Sequence, residues 1–159
     1  MRKTLFNPDS QTRVAENNPD HDHWLDLEHL ARVDISSEDP AHPIEAALLP
    51  GGSGWRAGQG GEQTVRLQFD TPQTIRRILL LINETQQTRT QEFVLRWSAD
   101  GGQSYREIVR QQYNFNPGMT RELEDYTVEL GGVTTLELVI KPEIGGGDAR
   151  ACVAQLRIA

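Results

Sequence analysis

The chain has 159 residues, 36% of them apolar, and a mean hydropathy of -0.56, which suits one domain with a modest core. Its formal net charge is -7, and residues 1–45 hold ten acidic side chains against four basic ones. That balance excludes a phosphate-tracking nucleic-acid binder, whose affinity needs clustered positive charge. No apolar run approaches the roughly 18 residues of a membrane-spanning helix, so no membrane partner is expected. No apolar stretch follows Met1-Arg2-Lys3, so no secretory signal is expected. The single Cys152 has no internal disulfide partner, and with the missing signal it points to the cytoplasm.

In chain order, residues 1–23 are polar and rich in Asn, Asp and Pro, the composition of a tail with little fixed structure. Trp24, Leu27 and Leu30 stand at helical spacing behind Asp22, a suitable cap, so one or two helical turns are expected there. Residues 1–30 thus read as an acidic, partly flexible leader. From Ala31 the period becomes two. Val33 and Ile35 alternate with polar neighbours, as do Val65, Leu67 and Phe69, then Phe93, Leu95 and Trp97. Tyr126, Val128 and Leu130, and later Leu136, Leu138 and Ile140, repeat the pattern. These predict half-buried strands of an antiparallel sheet. The continuous run Ile78–Ile82 predicts a central strand covered on both faces, and further strands are expected over 104–113 and 151–158. Asp100-Gly101 predicts a tight hairpin turn. About eight strands with Gly, Pro and Asn punctuation indicate an all-β antiparallel sandwich or jelly roll over residues 31–159.

Three stretches carry a family likeness. They are Glu45-Ala-Ala-Leu-Leu-Pro-Gly-Gly-Ser-Gly-Trp55, the strand Gln63-Thr-Val-Arg-Leu-Gln-Phe69, and Phe93-Val-Leu-Arg-Trp-Ser98-Ala-Asp-Gly101 through Tyr105. Their order and spacing resemble the discoidin, or coagulation factor 5/8 type C, family of galactose-binding-like domains. The resemblance implies a jelly-roll binding module without catalysis. It also implies that three loops share one end of the sandwich: Glu38–His42, Asn83–Arg89 and Tyr113–Pro117. On that topology His42, Asn83, Arg89, Asn114 and Phe115 are the expected ligand-binding residues for a neutral or galactose-type carbohydrate. Arg89 is the expected anchor, its guanidinium forking adjacent hydroxyls or a carboxylate. Its alternative is a surface ion pair with Glu84 or Glu92. Trp55 and Trp97 are expected in the core. Trp55-Arg56-Ala followed by Gly-Glu-Gln-Thr-Val is also similar to the amino-terminal domain of a single-strand-break repair scaffold. An intracellular protein partner is therefore the alternative to a sugar.

Many discoidin-type domains hold a structural calcium, but the acids expected for it are here Leu49 or Pro50 and Gln155. Calcium wants several oxygens, charged carboxylates among them, so no cofactor or metal is expected. His21-Asp22-His23 lacks a third rigid ligand. Cys152, in Ala151-Cys152-Val153-Ala154, is expected to pack in the core. Gly51-Gly-Ser-Gly54 does not match a nucleophile elbow, and the other glycine clusters match no dinucleotide or phosphate loop. No enzyme is expected.

Overall fold

Period-two alternation becomes strand wherever one face of the chain can be buried. A computed structural model describes residues 1–5, 10–11 and 23–159. The strands are β1 (Arg2–Leu5), β2 (Ser10–Gln11), β3 (Ala31–Ile35), β4 (Trp55–Arg56), β5 (Gln63–Asn83), β6 (Arg89–Ser98), β7 (Arg106–Phe115), β8 (Arg121–Lys141), β9 (Cys152–Val153) and β10 (Gln155–Ile158). Two single turns of helix, α1 (Leu27–Leu30) and α2 (Glu45–Leu48), lie among them. The main sheet runs β2-β1-β3-β5-β8-β6-β7, with β10 on β5, and β4 pairs β9 separately. The expected all-β architecture is present.

Two segments that read as separate strands are one. β5 runs unbroken from Gln63 to Asn83 and pairs β8 along its length, with register shifts between Gln68 and Arg77. Such bulges bend and twist a strand, so the first half of β5 pairs β3 and the second half pairs β10. Ile78, Leu80 and Ile82 are fully buried while Leu79 and Leu81 are only half-buried. The expectation of a strand covered on both faces is corrected: one face is core and the other partly shielded. The core is one cluster joining Val33, Leu67, Ile78, Phe93, Leu95, Leu138 and Trp55. Trp97 is half-buried, with the Arg106 guanidinium 5.9 Å from its ring.

The expectation of an unstructured tail is corrected at its first five residues. β1 pairs β3 in parallel, Lys3 opposite Val33. Met1 is buried, and the Lys3 ammonium lies 2.5 Å from Glu45 and 3.2 Å from Glu38. β1 lies between β2 and β3, and its parallel pairing with β3 joins segments far apart in sequence, which is why local periodicity missed it. α1 starts at Leu27, after Asp26; Asp22 falls outside the described residues. Trp24 lies under Arg77, 4.8 Å from guanidinium to ring.

Candidate functional site

A depression forms where three pieces of chain distant in sequence are tied together. The Asp39–His42 turn closes on itself through the His42 amide to the Asp39 carbonyl, 2.8 Å. It is bound to β4 by the Arg56 amide donating to His42 and the Asp39 amide donating to Arg56. β4 pairs β9, Trp55 opposite Val153 and Arg56 opposite Cys152. Asn83 ends β5 beside them, and the Cys152 thiol donates to its carbonyl over 3.4 Å. Gly54 lets the pieces close. Its φ is +101°, and a Cβ there would stand 2.9 Å from the Val153 carbonyl oxygen, a conformation and approach that glycine permits.

The depression measures about 160 Å³ and carries the polar side chains of His42, Ser53, Arg56 and Asn83. That is below the roughly 300–1,000 Å³ of drug-sized sites, room for one compact unit rather than a chain segment. Trp55 lines the depression but is almost fully enclosed. The indole is buried and its N–H donates to the Ser37 carbonyl at 3.2 Å. Cys152, expected in the core, packs against it while half-buried at the wall of the depression, and burial pushes its thiol pKa up.

Two of the five expected ligand residues, His42 and Asn83, line this depression. The other three do not join them. Strand alternation puts Asn114 and Phe115 on opposite faces of β7. Asn114 is exposed on the outer face, accepting the Thr90 hydroxyl at 2.7 Å, while Phe115 is 0% exposed. Arg89 is 3% exposed. It donates to Glu84 at 2.7 Å, to the Gln91 side chain at 3.0 Å and to the Pro142 carbonyl at 2.8 Å. Its plane lies 4.8 Å over the Phe115 ring, and it reaches the Cys152 sulfur at 3.7 Å. Arg89 therefore braces the depression from behind and cannot meet a ligand directly. Its ion pair with Glu84 exists, but buried rather than on the surface. Glu92 pairs with Arg110 instead.

The expected three-loop cluster also splits. Residues 85–88 and Asn116, Pro117 and Thr120 line a separate depression of about 230 Å³. Arg56 and Ser53 were missed by sequence reasoning because β4 exists only by pairing with β9, almost a hundred residues later. The signal available was Trp55, which marked the neighbourhood without showing which neighbour faced solvent.

Behind the depression a polar chain enters the sandwich. Burial alone would raise the Glu84 pKa, but the Arg89 hydrogen bond and charge and the Gln86 amide hold it below the usual carboxylate range. Gln91 passes the chain to Glu122 at 3.0 Å. Burial, and then the nearby Glu124, push Glu122 up to about 8. A larger groove of about 320 Å³ lies on the outer sheet face, beside Glu92, Arg96, Arg110 and Lys141. Most of its charges are spent on one another or on the adjoining Glu137. Arg110 pairs Glu92 and Glu107 at 2.5 and 2.9 Å, and Arg66 and Arg96 clamp Glu137.

Among the described residues, no group of three or more His, Cys, Asp or Glu could hold a metal. His21 and Asp22 lie outside those residues. The structural calcium implied by the discoidin resemblance does not fit the residues present. Leu49, Pro50 and Gln155 bring no carboxylate, and the Arg157 guanidinium donates to the Leu48 carbonyl at 2.9 Å. A cation already sits on that loop.

No family model matches the sequence, and no curated protein matches it. Solved structures match in fold. A pectin-binding carbohydrate-binding module shares 18% identity, with 82% of this chain and 90% of that one aligned at TM-score 0.61. A family 32 module of Clostridium perfringens, in complex with GalNAc-β-1,3-galactose, shares 18% over 80% of this chain and 94% of that one, TM-score 0.57. Another family 32 module, that of AlyQ in complex with 4,5-unsaturated mannuronic acid, shares 18% over 82% of this chain and 95% of that one, TM-score 0.54. At these identities the likeness shows the fold, the galactose-binding-like β-sandwich. Nothing among these neighbours favours the intracellular scaffold alternative.

Proposed function

We propose that the protein is a non-catalytic carbohydrate-binding module that holds one sugar unit in the depression between β4, β9 and the end of β5. The observation that carries this is the convergence of His42, Ser53, Arg56 and Asn83 on one shallow depression. Sugars are recognised by several polar side chains placed around a small number of hydroxyls, and these four come from three separate chain segments. The fold neighbours that bind pectin, GalNAc-β-1,3-galactose and an unsaturated mannuronic acid support the reading, although fold alone does not carry function.

Affinity is expected to be weak. No aromatic face is open in the depression, since Trp55 and Phe115 are buried, and exchanging water for protein hydrogen bonds yields only about 0.5–1.5 kcal/mol each. A neutral galactose-type sugar is the reference ligand. Glycan-array screening followed by NMR titration tests the proposal. Shifts centred on His42 and Asn83, reduced in His42→Ala and Asn83→Ala, are expected. A blank array beside a stoichiometric protein partner would remove it.

A further inference from the structure

Arg56 differs from the arginines of this sandwich that are neutralised by a carboxylate, and it lines the candidate depression. Its backbone is tied on both sides, to His42 and Asp39, so its Cα is held in place. Its guanidinium makes no carboxylate pair and no hydrogen bond among the described residues. By contrast Arg66, Arg77, Arg89, Arg96 and Arg110 each hold a carboxylate. The acids near the depression are engaged elsewhere. Glu84 belongs to Arg89, Glu38 and Glu45 belong to Lys3, and Asp39 accepts the Ala41 amide at 2.9 Å. Cys152 adds no negative charge, because burial keeps it a thiol. A chain of net charge -7 thus keeps a positive charge without a paired carboxylate, half-buried, at the wall of its candidate sugar site.

We infer that the sugar bound there carries a carboxylate, gripped by the Arg56 guanidinium while Asn83 and His42 take hydroxyls. This rests on the carbohydrate reading and narrows it to acidic sugars. A guanidinium presents two parallel N–H donors matched to a carboxylate, and charge-assisted bonds are about twice as strong as neutral ones. Partial burial lessens screening by salt relative to an open surface pair.

The test compares galacturonate, its methyl ester and galactose, which differ in the charge and substituent at one carbon. Galacturonate is expected to bind about tenfold or more tighter than the ester or galactose. The preference is expected to disappear in Arg56→Gln, survive in part in Arg56→Lys, and shrink as salt rises from about 0.05 to 0.5 M. Sialyllactose serves as a second acidic sugar, and preference for it over galacturonate would place the carboxylate outside the hexuronic acids without removing Arg56's role. Equal binding of acid and ester, or full preference in Arg56→Gln, overturns the inference while the carbohydrate reading stands. No shift at His42 or Asn83 with any of these sugars removes both. Should Arg56→Gln fail to fold, the acid, ester and salt comparison on the unaltered chain decides alone.

Discussion

At the scale of single residues, burial decides what an arginine does. Arg89 opens β6 beside a loop suited to ligand contact, yet its side chain is 1% exposed and faces a Glu84 carboxyl 5% exposed. Replacing it strands a buried carboxylate and two acceptors, Gln91 and the Pro142 carbonyl. Breaking a buried pair from one side costs about 3–5 kcal/mol. Arg89→Ala is therefore expected to lower the unfolding free energy, read from denaturant titration, by an amount in that range, with sugar binding lost only through unfolding. Arg110→Ala, at an exposed pair, should stay within about half a kcal/mol. Loss of less than about 1 kcal/mol in Arg89→Ala would return that residue to the surface. Arg56 and Arg89 both neighbour Cys152, but Arg89 is buried on a carboxylate while Arg56 is half-buried without one.

At the scale of elements, the two-residue strands β4 and β9 matter more than their size suggests. They hold the floor of the depression, and Gly54 lets β4 approach β9. Gly54→Ala forces an L side chain into positive φ and against the Val153 carbonyl. An expected loss of about 2 kcal/mol or more, with weakened sugar binding, follows. Gly61 supplies the control. Its φ is +87° but a Cβ there meets nothing within 4 Å, so Gly61→Ala should cost only the backbone strain, about 1–2 kcal/mol. Equal melting temperatures for the two variants would show that the close approach is unimportant. The loop after α2 carries another expectation. With Arg157 donating to Leu48 and no carboxylate at Leu49, Pro50 or Gln155, millimolar calcium should leave the melting temperature unchanged. A ligand of the native state at about a hundredfold its Kd adds roughly 2.7 kcal/mol. A rise of several degrees reversed by chelator would therefore be plain to see and would contradict this account.

At the scale of the whole molecule, stability against pH has two windows of opposite sign. Glu84 and Glu137 have pKa values held below the ordinary 4.5. Their contribution is present above that value and is lost as pH falls through the lowered ones. Glu122 behaves in reverse. Its Oε2 is buried without a partner, and its pKa stands at about 8 against an ordinary 4.5. The native state keeps a proton that the unfolded chain releases, so this contribution is full below 4.5 and is lost as pH rises towards 8. Melting temperature is expected to fall between about pH 5 and 8, and Glu122→Gln should flatten that fall. Parallel pH profiles for both proteins would refute the assignment.

The alternation at Val65–Phe69, Phe93–Trp97 and Leu136–Ile140, and the turn at Asp100-Gly101, were legible in the chain, because strand period and turn chemistry are local properties. The sequence by itself thus determined an all-β sandwich and a buried Trp55. The family resemblance supplied His42 and Asn83 as site candidates, and both line one depression. The sequence did not determine that β5 and β8 each run unbroken through two predicted strands, or that β1 joins β3 in parallel. Nor did it reveal that Phe115 turns inward, that Arg89 is enclosed, or that Arg56 shares a depression with His42 and Asn83. Those outcomes depend on register and on pairings between residues far apart in sequence, and a one-residue change of register exchanges a solvent-facing side chain for a buried one. Only the tertiary structure decided which arginine faces outward, because that depends on where each carboxylate comes to lie.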